Sequence, residues 1–134
     1  MSGMQKDGLR RTLPLVFDHK AQIADQFFTS LFHHAPETRL HFSEEFGRQK
    51  AVFAMVVAKI VRSADRPDRL EQIARGLVAS HRTYDITPGQ LHAARLALGE
   101  ALTLHLSDLM SGAELAYWTR VVDTLVLRMI ELTD

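Results

Sequence analysis

The chain has 134 residues, 46% hydrophobic and 24% charged, with sixteen basic residues balanced by sixteen acidic ones. That length buries one core and is short for two, so one domain over 1–134 is expected, and the zero formal charge argues against a nucleic-acid partner held by phosphate neutralisation. The absence of cysteine excludes disulfides and thiolate-held metals, and with no signal-like stretch and no apolar run of about 18 residues to enter a membrane, a cytoplasmic location is expected.

Taken in chain order, apolar residues recur with the helical period and never alternate with period two, so the expected class is all-α. A helix near 5–18 contains Pro14, a candidate kink, and a second covers about 20–33. Ala35-Pro36-Glu37 opens a short helix near 36–40, followed by an irregular corner with Phe42 and Phe46. The helix near 47–63 carries Val52, Phe53, Met55, Val56, Val57, Ile60 and Val61, an apolar arc wide enough to predict a deeply sandwiched element. Asp65-Arg-Pro67 breaks the chain before a helix near 67–81. Thr87-Pro88-Gly-Gln90 joins a capping Thr, a Pro at the first helical position and a Gln three residues after the Thr, and so begins a helix near 88–109. Ser111-Gly-Ala-Glu114 is a second capping box. It starts the last helix, near 112–132, whose Leu115, Trp118, Val122, Leu125, Met129 and Leu132 form one seam.

His81 stands out by position. Leu70, Ile73, Ala74, Leu77 and Val78 mark one helical face, and His81 continues that inward stripe at the last turn. An imidazole there is either a core histidine with a partner or a ligand. His33, His34, His41, His92 and His105 sit in or beside polar sequence and are expected at the surface, and His19 falls at a helix end. No H-x-x-x-H pair, phosphate-cradling glycine loop or G-x-S-x-G elbow is present.

The residues after His81 decide between the two. His81-Arg-Thr-Tyr84-Asp-Ile86-Thr-Pro88-Gly-Gln90-Leu91 resembles the proximal haem segment of bacterial single-domain globins and of the globin half of flavohaemoglobins. Thr12-Leu-Pro14-Leu-Val is similar to the first-helix segment of that family. Phe27-Phe28-Thr-Ser-Leu31-Phe32, followed by Ala35-Pro36-Glu37-Thr-Arg39-Leu-His-Phe42, is similar to its second helix and corner. Ala116-Tyr-Trp118 is similar to the start of its last helix. The resemblance runs over residues 8–132.

The resemblance implies a three-over-three globin fold around non-covalent haem b. It implies His81 as the iron ligand, Phe42 stacked on the haem and Phe28 at the distal position. Ile86 falls on the proximal face, and Leu77 and Tyr84 lie beside it. The polar distal residue is Arg48 with Val52 one turn on, or, one residue along, Gln49 with Phe53; Arg48 is preferred. The other ring nitrogen of His81 is expected to meet a main-chain carbonyl near Leu77 or the Ser80 hydroxyl.

Two departures from the family matter. The distal Tyr is Phe28, which cannot donate a hydrogen bond. The proximal Tyr–Glu pair is replaced by Leu91 and a position near Thr133. The implied function is reversible binding of oxygen, NO or CO by a monomer or homodimer, including oxygen transport, more than oxygen activation. Nitric oxide dioxygenation would need an external reductase. The other readings are a gas or redox sensor, marked by an apolar exposed face on the last two helices, and a haem-less interaction module.

Overall fold

In a computed structural model, residues 2–42, 47–82 and 85–133 are described, with side chains from residue 8 onward. Phe46 and Tyr84 lie outside the described residues. The order is α1 (Ser2–Asp18), α2 (Lys20–His34), a 3₁₀ turn (Pro36–His41), α3 (Gly47–Arg62), α4 (Pro67–Ser80), α5 (Pro88–Leu106) and α6 (Gly112–Thr133). No strand occurs among the described residues. Pro14 lies inside α1 without ending it.

The core is built on α5, which packs against α2 on one side and α6 on the other. Ala93, Ala97 and Ala101 are buried along it and let the neighbouring helices approach closely, while Leu98, Leu102 and Leu106 fill the space between them. α3 crosses α2, α4 lies on α6, and α3 and α4 barely touch each other.

Both capping boxes form. Thr87 accepts from the Gln90 backbone at 3.1 Å while the Gln90 side chain accepts from the Thr87 N–H at 3.0 Å. Ser111 and Glu114 do the same at 3.1 and 2.8 Å. Glu114 also receives Arg11 Nε at 3.0 Å, tying α1 to the start of α6. A second tie lies beneath it, where the Trp118 indole donates to the Thr12 hydroxyl at 2.7 Å in a fully buried position.

The Arg11 guanidinium, followed by the Ser111 backbone N–H, lowers the Glu114 carboxyl from 4.5 to about 2. Since the folded value is depressed, this stabilisation is full above the unfolded value of 4.5 and is lost as pH falls toward about 2. Urea unfolding from pH 5 to pH 2 should therefore show a falling midpoint that is flatter in Glu114→Gln. Parallel slopes for the two proteins would contradict this role.

Two expectations change. Met55 and Val52 are 55% and 57% exposed, so α3 is covered on one side only rather than sandwiched. Its buried residues, Ala54, Val57, Ala58, Ile60 and Val61, define the single packed face. On α4 only Ala74 is fully buried, while Leu70, Ile73, Leu77 and Val78 are half-buried and His81 is exposed. The inward stripe is real and packs against the edge of the core, with His81 at its exposed end.

Candidate functional site: a histidine beneath an apolar slot

α4 is fixed on α6 by charge as well as by its stripe. Arg128 donates to Glu71 from Nε at 2.8 Å and from Nη2 at 3.0 Å, and Arg75 Nε adds a third bond at 2.7 Å. Arg128, then Arg75, holds the Glu71 carboxyl below its ordinary value. The paired guanidinium matches both carboxylate oxygens, which sets orientation as well as distance.

At the other end of α4, His81 caps the helix, its N–H reaching the Leu77 and Val78 carbonyls at 3.1 and 3.2 Å. Its ring Nδ1 lies 2.7 Å from the Leu77 carbonyl and 3.2 Å from Ser80 Oγ. Ser80 Oγ itself donates to the Leu77 carbonyl at 3.0 Å. A carbonyl only accepts, so Nδ1 carries the hydrogen, and in the neutral ring the lone pair is on Nε2. The chain thus presents Nε2 in the tautomer that a metal ligand requires.

After His81 the backbone turns sharply at Asp85, whose φ of 51° is one that Asp tolerates better than most residues. The turn returns Ile86 beside His81. Both line a cavity of about 310 Å³, with Val78, Leu91, Met129, Leu132 and Thr133 also in its wall. The volume falls at the lower end of small-molecule sites, and the lining is mixed, with Arg82, Asp85, His81 and Thr133 beside Val78, Ile86, Leu91, Met129 and Leu132. Leu91 and Thr133, the residues that replace the family's Tyr and Glu, are both in this wall. Leu91 has no polar group, so the partners of Nδ1 here are the Leu77 carbonyl and the Ser80 hydroxyl rather than a carboxylate-backed tyrosine.

A separate aromatic cluster joins α2, α3 and the 3₁₀ corner. Phe27 and Phe53 stack with centroids 4.1 Å apart. Phe28, 4% exposed, meets Phe53 edge-on at 5.5 Å and Phe42 at 5.2 Å, and Phe32 joins Phe42 at 5.6 Å. Such tilted contacts suit the ring quadrupole and make a rigid surface. Arg39 secures the corner, donating from Nη1 to the Phe42 carbonyl at 3.0 Å with its guanidinium over the Phe32 ring.

The helical phase of α3, which periodicity left open, is fixed by its buried face. Gln49 and Phe53 lie on the flank of that face next to Phe27 and Phe28, whereas Arg48 and Val52 fall nearly opposite it and are exposed. The structure thus turns Phe53 toward the aromatic cluster and leaves the preferred Arg48 and Val52 on the exposed side. The Gln49 side-chain oxygen is buried with no hydrogen-bond partner among the described residues. Leaving such an atom unsatisfied costs about 1–3 kcal/mol. An amide serves equally with its NH₂ turned to that place, so Gln49 is a polar group awaiting a partner in an apolar wall.

The structure therefore brings Phe28, Phe42 and Phe53 together, and places Leu77, His81 and Ile86 together. Phe27, Phe32 and Met129 join these groups, although sequence reasoning did not single them out as site residues. The four-residue spacing of Phe28 and Phe32 was the available signal for the aromatic wall. Among the described residues no cluster of three His, Asp or Glu side chains could hold a bare metal ion. One imidazole beside an apolar slot suits instead a metal that brings its own planar ligand.

Comparison with known proteins agrees with this geometry. No curated protein matches the chain. Among solved structures it is similar to an engineered carbene transferase, RmaNOD Q52V, from a putative nitric oxide dioxygenase of Rhodothermus marinus. That likeness has a TM-score of 0.78 at 24% identity over 95% of this chain and 89% of that one. It is also similar to a bacterial globin from Campylobacter jejuni, with a TM-score of 0.80 at 15% identity over 98% and 95% of the two chains. At these identities the structures show the fold. The model of the globin family matches residues 25–129, from within α2 to near the end of α6. With most of its length and all of its site helices inside that match, the chain belongs to the globin family.

Proposed function

We propose that this protein is a haem-binding globin that reversibly binds oxygen or another diatomic gas, with His81 as axial ligand and Gln49 as polar distal residue. The observation that carries the reading is the imidazole of His81, turned by its Nδ1 contact to the Leu77 carbonyl and lining a cavity of about 310 Å³, in a chain of the globin family; the buried Gln49 oxygen beside the aromatic cluster adds to it. When bound, haem supplies an iron with one coordination position open to a small gas molecule.

The residues divide the remaining work. Ile86, Leu91 and Met129 would supply apolar contact to the haem beside His81, and Phe42 and Phe28 would exclude water. His81 would hold the iron through Nε2 while the Leu77 carbonyl and Ser80 hydroxyl hold the ring's rotation. The groups that Nδ1 meets are a carbonyl and a hydroxyl rather than a carboxylate, so the imidazole would be a modest electron donor. That favours binding a gas over splitting it, and makes a nitric oxide dioxygenase role with an external reductase the second reading. Phe28 offers no hydrogen bond, so the Gln49 amide is the donor for the partial negative charge on a polar gas. Non-covalent attachment follows from the lack of cysteine, and the cytoplasm is the compartment that suits such a chain.

Gas kinetics test this division. In Gln49→Leu the oxygen dissociation rate should rise about tenfold, the equivalent of one lost hydrogen bond of about 1.4 kcal/mol, while carbon monoxide dissociation changes little. Arg48→Leu should leave both rates near the parent's. An oxygen effect in Arg48→Leu and none in Gln49→Leu would return the distal role to Arg48.

A further inference from the structure

α5 is packed between α2 and α6, yet it also carries leucines on its outer side. The outward stripe runs His92, Leu96, Gly99, Glu100, Thr103 and Leu104, with Leu96 50% and Leu104 62% exposed. It borders an open groove of about 620 Å³, flanked by Gln26 and Ser30 of α2 and by Thr119 and Asp123 of α6. A Cβ added at Gly99 would meet nothing within 4 Å, so the outer backbone of α5 is open to close approach.

We propose that this face is a dimer interface, occupied by α5 of a second copy of the chain running antiparallel across a two-fold axis at Glu100. In an antiparallel pair, positions equally far on either side of the axis meet. Leu96 and Leu104 lie four residues before and after Glu100, so each leucine meets the other kind across the axis. Steps of four stay on one helix face. His92 lies eight before the axis near the start of α5, and Asp108 lies eight after it in the turn just beyond the end of α5, both exposed, so the reversal brings an imidazole toward a carboxylate at each end. Glu100 would confront its own copy, but each carboxylate is engaged by His34 Nε2 of its own α2 at 2.9 Å, which draws it aside from the axis.

The stripe is thus complementary to itself when reversed, apolar to apolar and base to acid, which an isologous contact demands and an unrelated partner does not. A standard interface covers about 800 Å² per partner. The two leucines alone fall short of that, so the α2 and α6 sides of the groove must be covered as well. The pairing stands apart from the haem assignment, since none of its residues lines the slot.

Sedimentation velocity over a concentration series tests it on the full chain. The parent should convert from monomer to dimer as concentration rises, and Leu104→Glu should weaken that association at least tenfold. Because Leu104 is exposed, this variant should keep the parent's helical circular dichroism and its haem spectrum. The lack of cysteine makes a second test clean. Glu100→Cys should form a disulfide-linked dimer on mild oxidation, whereas Thr124→Cys, exposed on α6, should not. A parent that stays monomeric throughout, a Leu104→Glu protein that dimerises as well as the parent, or equal cross-linking from both cysteines would each overturn the proposal.

Discussion

His81→Ala should lose the spectrum of histidine-ligated haem and regain it when free imidazole is added. The side chain is exposed at the end of α4, where its Nδ1 meets the Leu77 carbonyl and the Ser80 hydroxyl of its own helical turn, so its removal should change the stability of the fold by no more than about 0.5 kcal/mol. The loss would therefore report coordination rather than unfolding. Imidazole is small enough for the cavity beside Ile86 and Met129, and in the variant it would stand where the His81 ring stood. Haem bound by His81→Ala with an unchanged axial signature would contradict the assignment, and an imidazole-insensitive variant that melts like the parent would count against the cavity.

Trp118→Ala should be the most destabilising substitution in the chain, by about 3–5 kcal/mol. The indole is 1% exposed in the centre of the core, and its N–H donates to Thr12, itself 0% exposed. Its loss leaves a large cavity and removes the bond that the Thr12 hydroxyl accepts, leaving only the one that it donates to the Gly8 carbonyl. Thr12→Val, which keeps the volume but leaves the indole N–H without its acceptor, should cost about 1–3 kcal/mol. Denaturant unfolding of the three proteins separates the cavity from the hydrogen bond. Equal midpoints for the parent and Thr12→Val would mean that the Thr12 hydroxyl contributes nothing.

Much of this was legible from local chemistry. The capping boxes at Thr87 and Ser111 set two helix starts, and the seam through Trp118, Val122, Leu125 and Met129 is buried as its spacing required. The carbonyl of Leu77 and the hydroxyl of Ser80 are the partners expected for the His81 ring. What failed did so for a physical reason. Periodicity gives a helix's faces relative to each other but not its rotation, and Arg48 with Val52 has the same spacing as Gln49 with Phe53. Only the packing of Ala54, Val57 and Val61 across the helix fixed which pair turns inward. Exposure was misread for the same kind of cause. A stripe that reads as core on α4 can equally face a slot that a non-protein group fills, and His81 lies at its open end. The exposure of Leu96 and Leu104 on α5 was not legible in the sequence, because periodicity does not say which apolar residues of a helix face away from the core.

The central claim is that this chain holds one haem through one histidine. Titration of the purified apo-protein with haemin, followed by absorbance and by quenching of Trp118, the single tryptophan, tests it most directly. The account predicts a sharp end point at one haem per chain, and after reduction an iron–histidine stretch in the resonance Raman spectrum. Binding that never saturates, or a saturated complex without that stretch, would contradict it.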